Sequence, residues 1–159
     1  RSITDFIDWV RLTTSEPWQA NNFGDLKTHG FNTKVSYQAN LAANQSLRFS
    51  LSYAYLDPTF SNVDDAYNSK YKIESLKHQI INTIDYQVKN TTVSFANRFN
   101  TRQSYKSYWI TDIRINHSFK NNISIYADAQ NIFNTTYNEA GAIPLPSRWL
   151  TVGVKFNGI

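Results

Sequence analysis

The chain has 159 residues, a formal net charge of +4 at pH 7 and no cysteine, which excludes disulfides and thiolate metal sites. Its basic residues are scattered rather than concentrated in one run, which argues against a nucleic-acid-binding surface. Hydrophobic residues make up 41% of the chain and aromatic residues 15%, which is ample for an ordered fold, yet no stretch approaches the roughly 18 uninterrupted apolar residues of a membrane-spanning helix.

The dominant pattern along the chain has a period of two residues and predicts β-strands. In the segment 47–55 the odd positions are Leu, Phe, Leu, Tyr and Tyr, and the even positions are Arg, Ser, Ser and Ala. Successive side chains of a strand point to opposite faces, so each such segment is apolar on one face and polar on the other. The strands predicted in this way are 31–41, 47–55, 80–89, 93–99, 109–119, 123–130 and 150–156, with an eighth at 3–12 whose alternation is blurred by Asp5 and Asp8.

Short and long connections alternate strictly between these strands. In an up-and-down membrane barrel the short turns are periplasmic and the long loops are extracellular. Five of the eight strands also have the roughly 9–11 residues that cross a bilayer at the tilt of a barrel. The sequence therefore predicts an all-β, antiparallel, up-and-down transmembrane β-barrel in preference to a soluble sandwich. Short turns are expected at 42–45, 90–91 and 120–122, and long links at 13–25, 56–72, 101–107 and 131–147.

The composition of the two strand faces favours lipid contact for the apolar one. That face carries aromatic residues near strand ends, such as Tyr37, Trp109 and Phe119, as interfacial girdles do. The opposite face is rich in hydroxyl, amide and charged side chains, which suits a wetted or plugged lumen. In a soluble sandwich the apolar face would instead lie inside the protein and the polar face would lie in solvent. The charged residues expected in the lumen, where the arginines would pair with carboxylates of the plug or of neighbouring strands, are Arg98, Arg114, Asp85, Asp112 and Asp128.

The last thirty residues resemble the end of a TonB-dependent outer-membrane receptor. Asp128-Ala-Gln-Asn-Ile-Phe-Asn-Thr-Thr-Tyr137 resembles the penultimate-strand signature of that family, in which a strand ends in an Asn-Leu-Phe-Asp-like turn followed by a Tyr. Gly141-Ala-Ile-Pro-Leu-Pro-Ser-Arg-Trp149 is similar to the family's Pro-x-Pro-Gly-Arg segment, with Ser147 where Gly is usual.

The resemblance extends to the closing strand and to the beginning of the chain. Thr151-Val-Gly-Val-Lys-Phe156 resembles the family's closing strand, whose terminal aromatic, here Phe156, is the signal that the assembly machinery recognises; Asn-Gly-Ile follows it here. Ile7-Asp-Trp-Val and the segment 22–31 resemble a strand-loop-strand of the same family, with Asn32 where Glu is common.

The resemblance implies a single barrel segment, residues 1–159, that supplies about eight C-terminal strands of a barrel of about 22, with the plug domain absent. Such a receptor lies in the outer membrane of a Gram-negative bacterium and takes up a scarce ligand such as cobalamin, a ferric siderophore or haem. The expected partners are outer-membrane lipid, the N-terminal remainder of the receptor, TonB through the plug and a surface substrate-binding lipoprotein. No cofactor, metal or nucleic acid is expected.

Aromatic residues in the long links are the candidates for ligand contact. Exposed rings on loops held by a rigid barrel can grip a planar or hydrophobic ligand, but they can equally pack the loops together or extend the upper girdle. The aromatic candidates are Trp18, Tyr67, Tyr71, Tyr105, Tyr108 and Tyr137, and Glu139 is a further candidate.

Two other functions remain open at this point. A complete eight-stranded barrel with a structural or adhesive role has about this length, but it requires the last strand to pair with the first. An outer-membrane barrel enzyme is the second alternative. By parity His29, His78 and His117 fall on the apolar face or at strand ends, and no catalytic residue is assigned.

Overall fold

The computed structural model describes residues 1–64, 66–120, 122–139, 141 and 143–156, and it is all-β with antiparallel sheets, as the alternation predicts. The described part of the chain contains no helix that is long and apolar enough to span a membrane. In chain order the elements are β1 (Ser2–Ile3), β2 (Ile7–Arg11), β3 (Gln19–Asn22), β4 (Asp25–Ala42), β5 (Gln45–Ser61), β6 (Asn68–Ser69), α1 (Lys70–Glu74), β7 (Leu76–Val88), β8 (Thr91–Arg102), β9 (Tyr108–Ser118), β10 (Ile123–Gln130) and β11 (Trp149–Phe156).

The larger sheet is an antiparallel meander in the order β1-β4-β5-β7-β8-β9-β10-β11. Its seven long strands coincide with the seven that the alternation predicts, and β1 adds only two residues at one edge. Short turns join β4 to β5, β7 to β8 and β9 to β10, and the long connections lie at the opposite end of the sheet. We call these two ends the turn end and the loop end.

The predicted eighth strand at 3–12 is wrong as a single element of this sheet. Asp5 has a φ of 52°, in the left-handed region, and this residue separates β1 from β2. β2 instead lies at the centre of a second sheet, in the order β3-β2-β6, at the loop end. Asp5 therefore marks the point where the chain leaves the larger sheet, whereas Asp8 lies within β2.

The strands β4 and β5 extend beyond the predicted limits. They contain 18 and 17 residues, so the first part of the predicted link at 56–72 is strand rather than loop. Pro58 is tolerated because β7 pairs with β5 only as far as Tyr55↔His78, which leaves the second edge of β5 free of ladder hydrogen bonds at the proline. Pairing of Phe60 with Leu26 then carries the strand to Ser61.

The tight turns are confirmed, and they depend on residues that tolerate a positive φ. Asn44, Lys89 and Asn122 have φ values of 62°, 51° and 59°, and each lies in a short connection at the turn end. Asparagine is favoured there because its short polar side chain is compatible with the left-handed conformation. Asn121 of the third turn lies outside the described residues.

Cross-strand register gathers most apolar residues of the long strands on one face of the sheet. One row of paired apolar residues and the adjacent row of paired polar residues each cross all seven long strands. The two faces therefore stay distinct from one edge of the sheet to the other. The apolar row is Tyr37, Phe49, Ile84, Phe95, Ile113, Ala129 and Leu150, and the polar row is Gln38, Arg48, Asp85, Ser94, Arg114, Asp128 and Thr151.

The apolar face is exposed instead of being packed against a second layer. Val35 is 60% exposed, Val152 80% and Phe156 74%. The buried hydrophobic residues of the described chain are few and lie towards the loop end: Val10, Phe23, Leu26, Tyr108 and Ile110. An exposed apolar surface of this extent marks an interface with a membrane or a partner.

An aromatic ring of β10 packs over a glycine of β11, the last strand. Gly153 lies directly opposite Tyr126, and a Cβ atom at Gly153 would collide with the Tyr126 ring. The Arg114 guanidinium lies 5.8 Å from the centre of the same ring. An aromatic ring that covers a strand glycine fixes the local register.

We therefore expect Gly153→Ala to destabilise the β10–β11 pair by about 1–3 kcal/mol, because the Tyr126 ring must move. Urea unfolding in detergent, followed by tryptophan fluorescence, measures the change. In a Tyr126→Ala background the same substitution should cost much less, and equal costs in both backgrounds would contradict the contact.

Candidate functional site

A small cap covers the loop end of the polar face and fixes an aromatic ring there. Phe60 lies on the same face of β5 as Leu56 and Pro58, and its ring centre is 6.2 Å from that of Tyr71 in α1 and 5.7 Å from that of Phe23. Phe6 lies 5.4 Å from Tyr71 in an edge-to-face arrangement. Such contacts are worth about 0.5–1.5 kcal/mol each beyond burial, so they hold Tyr71 in place.

A buried carboxylate attaches α1 to β2. Asp8 is 8% exposed and accepts hydrogen bonds from Ser69 Oγ at 2.5 Å, from the Tyr71 backbone at 3.0 Å and from the Trp9 backbone at 2.7 Å. Ser69 is also the N-cap of α1 and accepts from the Lys72 backbone at 3.0 Å. This network satisfies the donors at the start of a helix that is too short to be stable alone.

A cavity of about 470 Å³ lies beneath this cap. Its walls come from β4, β5, α1, the start of β7, the end of β8 and the connection that precedes β11, so the tertiary fold assembles it from distant segments. One part of the wall is apolar and another carries charged and hydroxyl groups. The lining residues are Thr28, Leu56, Pro58, Tyr71, Glu74, Ser75, Leu76, Arg102 and Glu139.

Arg102 is the basic residue of this cavity wall. Its Nη1 donates to the Glu74 carbonyl at 2.7 Å, and its Nη2 lies 3.9 Å from Glu139 Oε2. Its Nε is buried and has no acceptor among the described residues. Glu74 Oε1 accepts from the Gly141 backbone at 2.9 Å, which ties α1 to the connection before β11.

Glu139 is held by two buried polar side chains of the sheet. Tyr108 donates its hydroxyl proton to Glu139 Oε1, and Asn100 Nδ2 lies 3.4 Å from the same oxygen and 2.5 Å from the Tyr108 hydroxyl. Gln79 donates to Asn100 Oδ1 at 3.1 Å. This chain of hydrogen bonds fixes the carboxylate against the polar face.

The structure brings some of the predicted ligand-contact residues together. Tyr71 and Glu139 line the cavity, and Tyr71 belongs to a helix instead of the predicted loop. Tyr105, Tyr108 and Tyr137 share a second pocket of about 270 Å³. The loop assignment of Tyr108 is wrong, because it begins β9, is 5% exposed and packs 4.5 Å from the Tyr137 ring.

The two remaining candidates, Trp18 and Tyr67, lie apart from the cavity lining. The Arg11 guanidinium stacks 4.2 Å above the Trp18 ring. The Tyr67 backbone donates to the Asp64 carbonyl at 3.1 Å, within the link before α1. Their structural contacts are local to the connections in which they occur.

The sequence reasoning missed Asn100, Arg102 and Glu74. The first two follow Arg98 at intervals of two residues, so the parity that placed Arg98 on the polar face also places them there. The parity of the strand therefore predicts Asn100 and Arg102 on the polar face. Glu74 was not detectable in this way, because α1 has no apolar periodicity and owes its position to Asp8.

The five predicted charged residues of the polar face have different partners. Arg114 and Asp128 form the predicted pair through two hydrogen bonds, Nε to Oδ1 at 2.5 Å and Nη2 to Oδ2 at 2.8 Å. Asp85 lies opposite Arg48 in the register. Asp112 instead accepts from the Asn131 backbone at 2.8 Å.

Among the described residues no carboxylate pairs with Arg98, and its expected pairing with a carboxylate of the plug stays a prediction. The register places Ile81 and Ile110 beside Arg98, and its Nε is buried without a partner in that part of the chain. Along their strands Asp112 lies two residues from Ile110, and Asp85 lies four residues from Ile81.

The histidines lie on the apolar side, as their parity predicts. His78 Nδ1 lies 2.9 Å from the Tyr53 hydroxyl, and His117 Nδ1 lies 2.8 Å from Thr91 Oγ1. His29 lies opposite Asp57 in the β4–β5 register and is exposed. Within the described ranges, no group of three or more acidic or histidine side chains could hold a metal ion.

Comparison with known proteins gave no match to a family model, to a curated protein or to a solved structure.

We expect Ser69→Ala to destabilise the cap by about 1–2 kcal/mol, since it removes the N-cap of α1 and one donor to the buried Asp8 carboxylate. Hydrogen exchange of the amides in Lys70–Glu74 should become faster, while the amides at the centre of β7 remain protected. Ser104→Ala, at an exposed position, serves as the control. Equal exchange in both variants would contradict the role given to Ser69.

Proposed function

We propose that this chain is part of a TonB-dependent transporter in the outer membrane of a Gram-negative bacterium. The observation that carries the proposal is the exposed apolar face of a single-layered antiparallel meander. In a soluble sandwich such a face packs against a second sheet. A lipid environment gives this face its partner and leaves the charged, hydrogen-bonded face towards a wet interior.

The distribution of aromatic residues supports a membrane orientation. At the loop end of the apolar face, the Phe31 ring lies 5.5 Å from that of Tyr53, and the Tyr55 ring lies 5.1 Å from that of His78. At the turn end, the Tyr86 hydroxyl donates to Gln45 at 3.1 Å. Rings that carry a polar group near both strand ends are typical of the two membrane interfaces.

The open edges of the sheet favour a barrel larger than the strands seen here. Among the described residues, β11 pairs only with β10, and β4 has β1 as a partner over two residues of its outer edge. A complete small barrel would need these two edges to meet. We therefore assign the edges to further strands of the receptor, whose barrel encloses a plug through which TonB acts.

The connection between β10 and β11, which resembles a segment of the receptor family, contains several internal hydrogen bonds. Asn131 has a φ of 48°, donates to the carbonyls of Thr135 at 2.9 Å and Pro146 at 3.3 Å, and accepts from the Thr135 backbone. Asn134 accepts from the Arg148 backbone at 3.0 Å. Through these contacts Asn131 and Asn134 join the two halves of the connection.

The ligand enters at the loop end in this proposal. The resemblance names cobalamin, a ferric siderophore or haem as the cargo, and a surface lipoprotein that binds the same substrate is a further partner. Phe156 ends β11 at the turn end and is 74% exposed, as suits a signal read by an assembly machinery.

We expect Val152→Arg to lower the free energy of unfolding in lipid vesicles by roughly 2–4 kcal/mol, because it places a charge on the lipid face. Thr151→Arg is the matched control, since it lies on the polar face opposite Asp128. Urea titrations of both variants in phosphocholine vesicles make the comparison. A larger loss for Thr151→Arg would reverse the assignment of the faces.

Energised transport has a separate test in the source bacterium. We expect an antibody against this chain to detect the protein in the outer-membrane fraction, and formaldehyde to cross-link it to TonB. Recovery of the protein only from the soluble fraction would exclude the membrane assignment. An outer-membrane protein without the cross-link, in cells where another receptor shows it, would favour a structural barrel.

A further inference from the structure

We propose that the turn end of the sheet binds the headgroup of an anionic phospholipid in the periplasmic leaflet of the membrane. The site lies where the β7–β8 turn and the β9–β10 turn meet. The inference rests on the proposed membrane location of this chain and deepens it, because it names the lipid class that one end of the sheet prefers.

The charges at the turn end are all of one sign. The four segments that form this end contain three lysines and no acidic residue, which gives a formal charge of +3, one for each lysine. Each of these lysines is exposed. Basic residues near an anionic membrane surface strengthen attachment about fivefold each. The segments are 39–47, 86–93, 115–127 and 152–156, and the lysines are Lys89, Lys120 and Lys155.

The acidic residues closest to the turn end along the strands already face arginines. Asp128 is bound by Arg114 through two hydrogen bonds, and Asp85 lies opposite Arg48 in the register. Both ion pairs within the described part of the chain are formed by arginines. Carboxylates of that part therefore leave the lysines of the turn end without a counter-charge, and an anionic partner supplies it.

Hydrogen bonds hold the two basic turns side by side. Asn90 Nδ2 donates to the Ser118 carbonyl at 3.1 Å, and the Ser118 backbone donates to the Asn90 carbonyl at 2.9 Å. Lys89 directly precedes Asn90, and Lys120 follows two residues after Ser118, so both cations belong to one short stretch of this end. Turns that are fixed before binding lower the entropic cost of holding a phosphodiester between them.

An apolar surface for the acyl chains lies beside these turns. Phe119 follows the last residue of β9 and is 48% exposed. Its ring packs edge-to-face 4.5 Å from that of His117, whose Nδ1 lies 2.8 Å from Thr91 Oγ1. Ile125 and Val154 pair across β10 and β11 and are also exposed. Cations next to apolar side chains suit a lipid better than a water-soluble anion, because a lipid contacts both.

The loop end mixes lysines with carboxylates, which provides a matched control. Lys27 shares β4 with Asp25, and Lys72 shares α1 with Glu74. Lys27 and Lys72 are exposed, as the lysines of the turn end are. Removal of the same number of charges at the loop end therefore separates a local headgroup site from a general effect of net charge.

Native mass spectrometry of the full chain in neutral detergent micelles tests the inference. The probes are dioleoylphosphatidylglycerol and dioleoylphosphatidylcholine in equal amounts, which have the same acyl chains and differ in net headgroup charge. We expect the chain to retain phosphatidylglycerol about tenfold or more over phosphatidylcholine, since two lysines near the headgroup contribute about fivefold each. An excess of ammonium phosphate should not displace the lipid, because free phosphate has no acyl chains.

Two double variants locate the binding. Lys89→Gln with Lys120→Gln should bring the two lipids close to equal retention, because both cations of the adjoining turns are lost. Lys27→Gln with Lys72→Gln removes two charges at the loop end and should keep the preference of the parent chain. Near-ultraviolet circular dichroism confirms that both variants are folded.

The inference is overturned if the parent chain retains the two lipids equally, if the turn-end variant keeps the full preference, or if both double variants lose it to the same extent. Displacement by free phosphate would show a site for soluble anions and would also overturn it. An outer-membrane protein without a headgroup preference removes this inference alone. Recovery of the protein only from the soluble fraction removes the membrane location, whichever lipid the chain retains in detergent.

Discussion

The hydrogen-bonded register between β4 and β5 runs unbroken from Asp25↔Ser61 to Asn40↔Ser46, and the other features of the sheet depend on it. Because side chains alternate with a period of two, a slip of one residue would move every apolar group of a strand to the polar face. The same register continues through β7 to β11 and keeps one face apolar. The Tyr126 ring over Gly153 adds a steric lock at the last pair.

The two ends of this sheet are built by different physical means. The turn end needs only residues that accept a positive φ, such as Asn44 and Asn122, so it is compact and locally encoded. The loop end carries the cap, where the buried Asp8 carboxylate orients α1 and an aromatic cluster covers the polar side of β5. This difference explains why the cavity lies at the loop end, where long segments from several connections can meet.

The fold was largely predictable from the sequence, whereas the cavity was predictable only in part. Alternation located the seven long strands, and parity placed Arg114 and Asp128 on one face, where they pair. It did not show that 3–12 divides at Asp5, because a single left-handed residue leaves no periodic signal. Tyr71 and Glu139 were found as loop candidates, but their meeting in one cavity depends on α1, which has no sequence pattern of its own.

By itself the sequence determined the strands, their two unlike faces and the alternation of short and long connections. These are local properties, because a period of two and a turn asparagine act within a few residues. The tertiary structure alone decided the second sheet, the position of α1, the hydrogen bonds from Asn100 and Tyr108 to Glu139 and the cavity beside Arg102. Each of those joins residues that are far apart in the chain, as Asp8 and Ser69 are, and their contacts depend on how the connections pack over the sheet.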